Sequence, residues 1–296
     1  MQRSVGARGI VRLAVFVFSS CLLAASVSAT GARQSGAKAT DTAPQLVKRS
    51  ALIHRELPST PGTMVKLTCG PWGNVRVVAR RTNVVSIDGR VEISAASEAD
   101  LQTLASTITI LADPTPTSVD ILTKGPHDKQ WMKAFKKFPD RLKTMPWRVD
   151  YVLTVPEYTS LTIEVGDGES VVEGVQGIIS VVSVRGAIRV REIGGATRLT
   201  AYNGNVEILT SQRTWRGGNV SASATGDVTI VAPRGFSADA RLTASNGIFL
   251  RGDREDAPGN SFNGFIGNGG PGVELTAGGR ITIAMGQPAS PAPTSP

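Results

Sequence analysis

The stretch AYNGNVEI, Ala201 to Ile208, decides the fold prediction for this sequence. Taken alone, its Asn-Gly pair beside alternating apolar and polar residues is the strongest short-range signal of a β-hairpin. However, the same unit recurs along the chain as a glycine, any residue, and an apolar–polar–apolar triplet. Its copies are Gly73–Val77, Gly89–Ile93, Gly186–Val190, Gly204–Ile208, Gly226–Ile230 and Gly279–Ile283, with a shortened copy at Gly247–Leu250.

The spacing of these glycines indicates a repeating structure. In sequence order, the glycines at 168, 186, 204, 226 and 247 lie 18, 18, 22 and 21 residues apart, and a second series falls at 177, 195, 218 and 272. A near-constant period of this size is typical of a solenoid. Stacked coils would pair each strand with the same strand of the next coil and build one core. Glycine suits each corner because a tight bend needs positive φ or close backbone approach.

We therefore predict an all-β fold. It is a right-handed β-helix, or β-solenoid, of about 20-residue coils, with a smaller N-terminal β region and a short helical insertion. Val206 and Ile208 should point into the core and Glu207 to solvent. Small residues should fill a narrow interior at Ala201, Ala222, Ala224 and Ala244. The alternative is an antiparallel meander or sandwich, because turn signals every 8–12 residues suit that fold too.

The N-terminus reads as an export signal. Arg3, Arg8 and Arg12 precede an uncharged apolar run, and small residues at Val27-Ser28-Ala29 predict cleavage after Ala29. An uncleaved anchor is the alternative, although serines dilute the run below what a membrane span needs. We expect the protein in the periplasm, on the outer surface or secreted.

The remaining boundaries follow from composition. We predict a signal peptide at 1–29, a disordered linker at 30–50 and an N-terminal β region with one short helix at 51–124. A basic amphipathic insertion at 125–148 precedes the solenoid repeats at 149–286 and a disordered Pro-rich tail at 287–296. The sequence leaves open whether residues 51–124 continue the solenoid or form a separate domain.

The positive charge of the chain is concentrated in the insertion. The formal net charge is +8, and removing the three signal arginines leaves +5. Residues 125–148 hold seven basic and two acidic residues, which accounts for that excess. Because the rest is balanced and the chain is exported, we expect no nucleic-acid partner.

The insertion is also the candidate interaction surface. Trp131, Phe135, Phe138, Leu142 and Met145 follow one another at spacings of 4, 3, 4 and 3, which predicts a helical apolar stripe. Pro139 breaks this run, although a second short helix could begin at Asp140. Such a segment can lie on an anionic membrane surface, or it can cover one end or edge of the solenoid. The candidate surface residues are Trp131, Lys133, Phe135, Lys136, Lys137, Phe138, Arg141 and Lys143, and the expected partner is an envelope or surface component, an anionic membrane surface or a glycan.

No catalytic or cofactor motif stands out. The chain has two histidines, His54 and His127, so we expect no histidine metal cluster and no cofactor. Cys69, alone after cleavage, is interpreted as a buried small hydrophobe, with an intermolecular bridge as the alternative. Two acidic clusters, Glu164/Asp167/Glu169 and Asp253/Glu255/Asp256, are interpreted as solvated turns. Their alternatives are Ca²⁺ binding and acid–base cleavage of glycosidic bonds.

Several segments resemble a known family. LTIEVGDGESVVEGVQG, SVRGAIRVREIGGATRLTAYNGNVEI, SATGDVTIVAPRGFSADARLTASNGIFL and GNGGPGVELTAGGRITI are similar to the bacterial "putative adhesin" repeat family, as is the upstream PGTMVKLTCGPWGNVRVVARRTNVVSIDG. The resemblance covers residues 58–285 and implies an exported β-helical protein without a catalytic motif. We therefore expect a non-enzymatic, adhesin-like surface or envelope interaction protein. The alternative is a carbohydrate-active enzyme on a β-helix scaffold that uses paired carboxylates.

Overall fold

The structure, a computed structural model, describes residues 46–211, 218–251 and 255–286, and it describes no side chain at 255–258. The predicted signal peptide, residues 30–45 of the predicted linker and the predicted tail lie outside the described residues. The first strand begins at Val47, so the end of the predicted linker is strand instead. Its residues pair with a later strand along their whole length, which composition alone did not reveal.

The described residues form one sheet of nineteen strands with two short helices. The strands are β1 (Val47–Pro58), β2 (Met64–Thr68), β3 (Val75–Arg80), β4 (Val84–Ala95), β5 (Thr109–Pro114), β6 (Ser118–Lys124), β7 (Trp147–Pro156), β8 (Ser160–Asp167), β9 (Ser170–Glu173), β10 (Ile179–Arg185), β11 (Ile188–Arg191), β12 (Thr197–Ala201), β13 (Val206–Leu209), β14 (Val220–Ala224), β15 (Val228–Ala232), β16 (Ala238–Arg251), β17 (Glu255–Ile266), β18 (Gly272–Ala277) and β19 (Ile281–Met285). Helix α1 spans Glu98–Ala105, α2 spans Lys129–Met132, and a 3-10 helix spans Asp140–Thr144. The all-β prediction is confirmed.

The strands stack in two parallel columns. Column A contains β6, β2, β8, β10, β12, β14, β18 and the first half of β16, in that spatial order. Column B contains β7, β3, β9, β11, β13, β15, β19 and the second half of β16. Along column A, Leu161 pairs with Ile179, Ile179 with Thr197 and Thr197 with Val220. Each strand therefore lies beside its counterpart from the next repeat.

The spatial order of the layers departs from the sequence order at both ends. The β18–β19 layer lies between the β14–β15 layer and β16, so the Gly279 unit stacks on the Gly226 unit and the Gly247 unit lies outside it. Stacking in sequence order would instead have placed the Gly247 unit directly on the Gly226 unit. The observed order arises because β16 turns back through β17 as an antiparallel pair and the chain then returns to the layer beneath. Likewise, β2 and β3 lie between the β6–β7 and β8–β9 layers.

Residues 51–124 are continuous with the repeats. Strands β2 and β3 pair in parallel with β8 and β9, and one hydrophobic cluster extends from Val65 to Ile283. The predicted interior residues Ala201, Val206, Ile208, Ala222, Ala224 and Ala244 are all buried, and Glu207 is partly exposed. The question that the sequence left open is thus answered in favour of a shared core.

Close backbone approach explains the corner glycines. A Cβ built on Gly186 would lie 2.0 Å from the carbonyl oxygen of Gly168, and one on Gly204 would lie 2.1 Å from that of Gly186. Gly186 also has φ +140°. Both contacts are far shorter than a carbon side chain tolerates, so these positions need glycine. Gly89, by contrast, lies in the middle of β4, where a Cβ would meet Ile110 Cδ1 at 2.4 Å. Its assignment to a corner was wrong, because it makes room for a core side chain.

Candidate functional site

Residues 125–146 replace a tight corner with a long connection, which we call the basic cap. In other layers, two residues join the strand of column A to the strand of column B. They are Gly168 and Glu169 between β8 and β9, and Gly186 and Ala187 between β10 and β11. The basic cap instead joins β6 to β7, at the end of the stack where β5 and β4 pair antiparallel with those strands. Trp147 and Arg148, which the sequence assigned to the insertion, belong to β7.

Asp128 fixes the start of the basic cap. Its Oδ1 accepts hydrogen bonds from the backbone N–H of Gln130 (2.9 Å) and Trp131 (3.0 Å), which makes it the N-cap of α2. Lys124 Nζ donates to its Oδ2 at 2.6 Å. That hydrogen bond, followed by those from the backbone, lowers the pKa of Asp128 to about 2.

The apolar stripe is divided between two short helices. Helix α2 ends after one turn at Met132, and a 3-10 helix begins at Asp140, directly after Pro139, where the sequence allowed a second helix. The stripe side chains nevertheless face the protein. Trp131 Nε1 donates to the carbonyl oxygen of Thr107 at 2.7 Å, and its ring lies 5.8 Å from the ring of Phe135. Phe138 and Met145 pack against the core, and Leu142 is buried.

The rings of Trp72, His127 and Trp147 form a cluster next to the start of the basic cap. The ring of Trp147 lies 5.3 Å from that of His127 and 6.0 Å from that of Trp72, edge to face. A Cβ at Gly125 would lie 3.1 Å from the Trp147 ring, so the chain passes closely over it. Partial desolvation lowers the pKa of His127. The residue itself is exposed, and its contact with Trp147, twenty residues further along the chain, was not predicted.

The predicted surface residues divide into three groups. Trp131, Phe135 and Phe138 are half-buried and hold the basic cap in place. Two cations are engaged: Arg141 donates to Asp100 on α1 at 2.6 Å, and Lys143 donates to Asp140 at 2.6 Å. The remaining group consists of exposed lysines that form no ion pair within the described residues, namely Lys133, Lys136 and Lys137. Lys129 shares these properties, and the sequence reasoning did not include it because it precedes the stripe.

Each carboxylate of the first acidic cluster lies beside a basic side chain. Asp167 accepts from Arg185 at 2.5 Å, Glu169 accepts from Arg189, and Glu164 lies 3.9 Å from Lys66. The basic partners come from neighbouring strands of the stack. Asp253 of the second cluster lies outside the described residues, as do the side chains of Glu255 and Asp256.

Cys69 is a free, buried cysteine. Burial raises the pKa of its thiol, which suppresses the reactive thiolate. Among residues 46–211, 218–251 and 255–286, no group of three His, Cys, Asp or Glu side chains is arranged to hold a metal ion. In the same ranges no helix is long and apolar enough to cross a membrane.

Comparisons with known proteins gave structural neighbours of low similarity. No protein-family model matches the chain, and no curated protein matches it. A putative cell adhesion protein from Clostridium sporogenes is 12% identical, with a TM-score of 0.41, and the match covers 81% of this chain and 100% of that one. A putative adhesin from Bacteroides fragilis is 11% identical, with a TM-score of 0.33 and coverage of 79% and 97%. A putative lipid binding protein from Parabacteroides distasonis is 9% identical, with a TM-score of 0.27 and coverage of 78% and 96%.

Proposed function

We propose that this protein is an exported, non-enzymatic interaction protein of the cell surface or envelope, and that its basic cap binds an anionic surface. We further propose that the two columns wind as a right-handed β-solenoid, which the parallel pairing of successive repeats supports. The solenoid supplies a rigid frame, and the basic cap supplies the charge.

The observation that carries the proposal is that the basic cap packs its aromatic rings against the protein and exposes its lysines to solvent. Rings anchor the segment on its inner side, through the bond from Trp131 to Thr107 and the packing of Phe138. Lys133, Lys136 and Lys137 are left on its outer side, exposed and without ion pairs in the described chain. A structural cover for the end of the stack requires the rings but does not require unpaired lysines. The lysines are therefore the feature that calls for a partner of opposite charge.

The structure favours electrostatic contact over insertion into a bilayer. An interfacial helix binds by burying its apolar face in the lipid. Here that face is turned toward the protein, so a membrane would meet ammonium groups rather than rings. Each such group contributes about 1 kcal/mol near an anionic bilayer, and the contribution falls with salt.

Vesicle binding tests the basic cap. The full chain should sediment with phosphatidylglycerol vesicles at 50 mM salt and should be released as salt rises, while phosphatidylcholine vesicles should not bind it. A Lys133→Gln, Lys136→Gln, Lys137→Gln triple variant should lose at least tenfold in affinity and keep its melting temperature. The matched control replaces three exposed cations elsewhere, Lys48→Gln, Arg80→Gln and Arg90→Gln. Equal losses in the two triple variants would reject the basic cap as the binding site.

The ion pairs of the first acidic cluster are the reason for proposing a non-enzymatic role. Asp167 and Glu169 each contact an arginine of the next layer, Arg185 and Arg189, and this pairing ties neighbouring strands together. Polysaccharide cleavage by the purified chain that disappears in Asp167→Asn or Glu169→Gln would overturn this part of the proposal. The export part is tested by cell fractionation of the protein with and without residues 1–29.

A further inference from the structure

A shallow groove of about 620 Å³ runs along the outer face of column A, away from the basic cap. It crosses β10, β12, β14, β18, β16 and β17, in that spatial order. Five strand spacings give it a length of about 24 Å. The groove therefore runs along the stack, perpendicular to the strands, which suits an extended ligand better than a compact one.

Side chains of alternating size shape the groove. One row consists of register neighbours on the six strands, in the order Ser180, Arg198, Ser221, Glu274, Arg241 and Asn263. Beside it, Ile178 and Phe265 stand at opposite ends, with 62% and 73% of their surface exposed. Ala196 and Gly272 lie between them and leave the middle low. The result is a trough with an apolar side chain at each end and polar groups along its length.

The charges in the groove balance and are open to a ligand. Arg198 and Arg241 are matched in number by Asp239 and Glu274. Within the described residues, neither arginine forms an ion pair, and neither does Glu274, although Glu274 and Arg241 are register neighbours. On column B, in contrast, Arg189 bridges Glu169 and Glu207. Column B uses its charges to join strands, whereas in this part of column A two arginines and Glu274 form no ion pair among the described residues, and Asp239 Oδ1 accepts a hydrogen bond from the backbone N–H of Gly270 at 2.9 Å.

We propose that this groove binds a neutral, linear polysaccharide laid along the stack. Guanidinium and amide groups donate hydrogen bonds, while carboxylates and amide oxygens accept them, so the trough offers both partners that a hydroxyl group needs. A polyanion would meet Glu274 and Asp239 as well as the arginines. The exposed ring of Phe265 gives the apolar face of a sugar ring a flat surface to pack on. With one strand about every 4.8 Å, the row presents polar side chains at short, regular intervals, as a linear polymer presents its hydroxyl groups.

Binding to a panel of neutral and acidic linear oligosaccharides of two to eight units tests this inference, with the full chain as the protein. At least one neutral series should bind, with an affinity that rises with length until the groove is filled. In calorimetry with that oligosaccharide, Phe265→Ala and Arg241→Gln should each weaken binding at least tenfold. The matched controls are Tyr202→Ala, an exposed ring outside the groove, and Arg90→Gln, an exposed arginine on β4. Both should bind as the unchanged chain does.

Three results would overturn the inference. The first is the absence of neutral oligosaccharide binding, and the second is binding that Phe265→Ala and Arg241→Gln leave unchanged. The third is binding confined to acidic sugars and lost in the Lys133, Lys136 and Lys137 triple variant, which would assign glycan recognition to the basic cap. Since all the substituted groove side chains are exposed, unchanged melting temperatures should show that the variants fold. The vesicle experiment and this one use different sites, so either proposal can fail alone.

Discussion

The interior of the stack and its two ends follow different rules. In the interior, each strand pairs in parallel with the corresponding strand of the next layer. At the corners, each glycine lies close to a backbone carbonyl group of the neighbouring layer. At both ends the pairing turns antiparallel, through β1, β4 and β5 at one end and through β17 at the other. The interior is constrained by repetition, while the ends must stop the sheet from extending. Departures from the repeat therefore concentrate at the two ends, and the basic cap lies at one of them.

The two ends also differ from each other. The edge strand β1 carries Lys48, Arg49 and Arg55, charges that oppose pairing with another chain. The edge strand β17 has no charged residue from Gly259 to Ile266, and Phe265 is exposed there. One end is thus protected by charge and by the basic cap. The other end is closed by a hairpin whose outer strand is far less protected.

The largest expected effect lies in the interior glycines. Gly186→Ala should lower the free energy of unfolding by about 3 kcal/mol or more, because the new Cβ meets the Gly168 carbonyl in a strained conformation. Gly286→Ala is the control, since nothing lies within 4 Å of its Cβ position. Chemical denaturation measures both. A similar midpoint for the two variants would contradict the requirement for glycine at the corners.

Truncating a core side chain should have a comparable effect. Ile208→Ala empties a fully buried position between layers and should cost about 2–5 kcal/mol. Leu52→Ala on β1, where 82% of the residue is exposed, should change stability by less than about 0.5 kcal/mol. Thermal melts of the two variants sharpen the difference between interior and edge. Equal shifts would show that β1 contributes to the core.

The start of the basic cap should respond at the level of a helix cap. Asp128→Ala removes the N-cap of α2 and should lower the local stability of the basic cap by about 1 kcal/mol, without loosening the rest of the stack. Because folding lowers the pKa of Asp128 to about 2, its contribution is fully present above the unfolded value of about 4. It should fade as pH falls through about 2. Proteolysis within residues 125–146, compared with hydrogen exchange of the interior strands, measures this local opening. An equal rise in exchange throughout the stack would refute a local role.

The smallest expected effects are opposite titrations of the two histidines. Asp88 accepts a hydrogen bond from His54 on β1 and raises its pKa, whereas partial desolvation lowers the pKa of His127. The His54 contribution to stability is present below the unfolded pKa and is lost as pH rises through the folded one. For His127 the sign reverses, and its contribution is present above the unfolded pKa and lost on acidification. Histidine NMR titrations should place His54 above His127, and Asp88→Asn should lower the value for His54 alone. The reverse order would contradict both contacts.

Local patterns predicted much of the interior and little of the ends. Val206, Glu207 and Ile208 alternate between core and solvent as their period of two requires, and Gly186 and Gly204 are corners as their spacing indicates. The residue after each corner glycine was treated as arbitrary, yet several form a ladder. Asn205 Oδ1 accepts from Asp227 N–H at 2.9 Å, and Asp227 Oδ1 accepts from Arg280 N–H at 2.7 Å. A single repeat does not reveal such bonds, because donor and acceptor belong to different layers.

The candidate sites show the same limit. Clustering of charge and rings identified the basic cap from sequence, but only the structure shows that Trp131 and Phe138 face inward and that Arg141 is held by Asp100. The groove on column A left no local signal at all. Arg198, Glu274 and Arg241 are dispersed along the sequence, and they share a row only because β18 lies between β14 and β16.

The sequence by itself determined the all-β class, the repeat, the inward face of each strand and the concentration of positive charge, since these depend on the period and composition of short segments. The order of the layers, the antiparallel ends, the shared core with residues 51–124 and the composition of the groove were decided by tertiary structure. These features depend on which distant strands share hydrogen bonds. Repeats that share one short pattern could pair with one another in many orders, so the pattern alone does not fix the order of the layers.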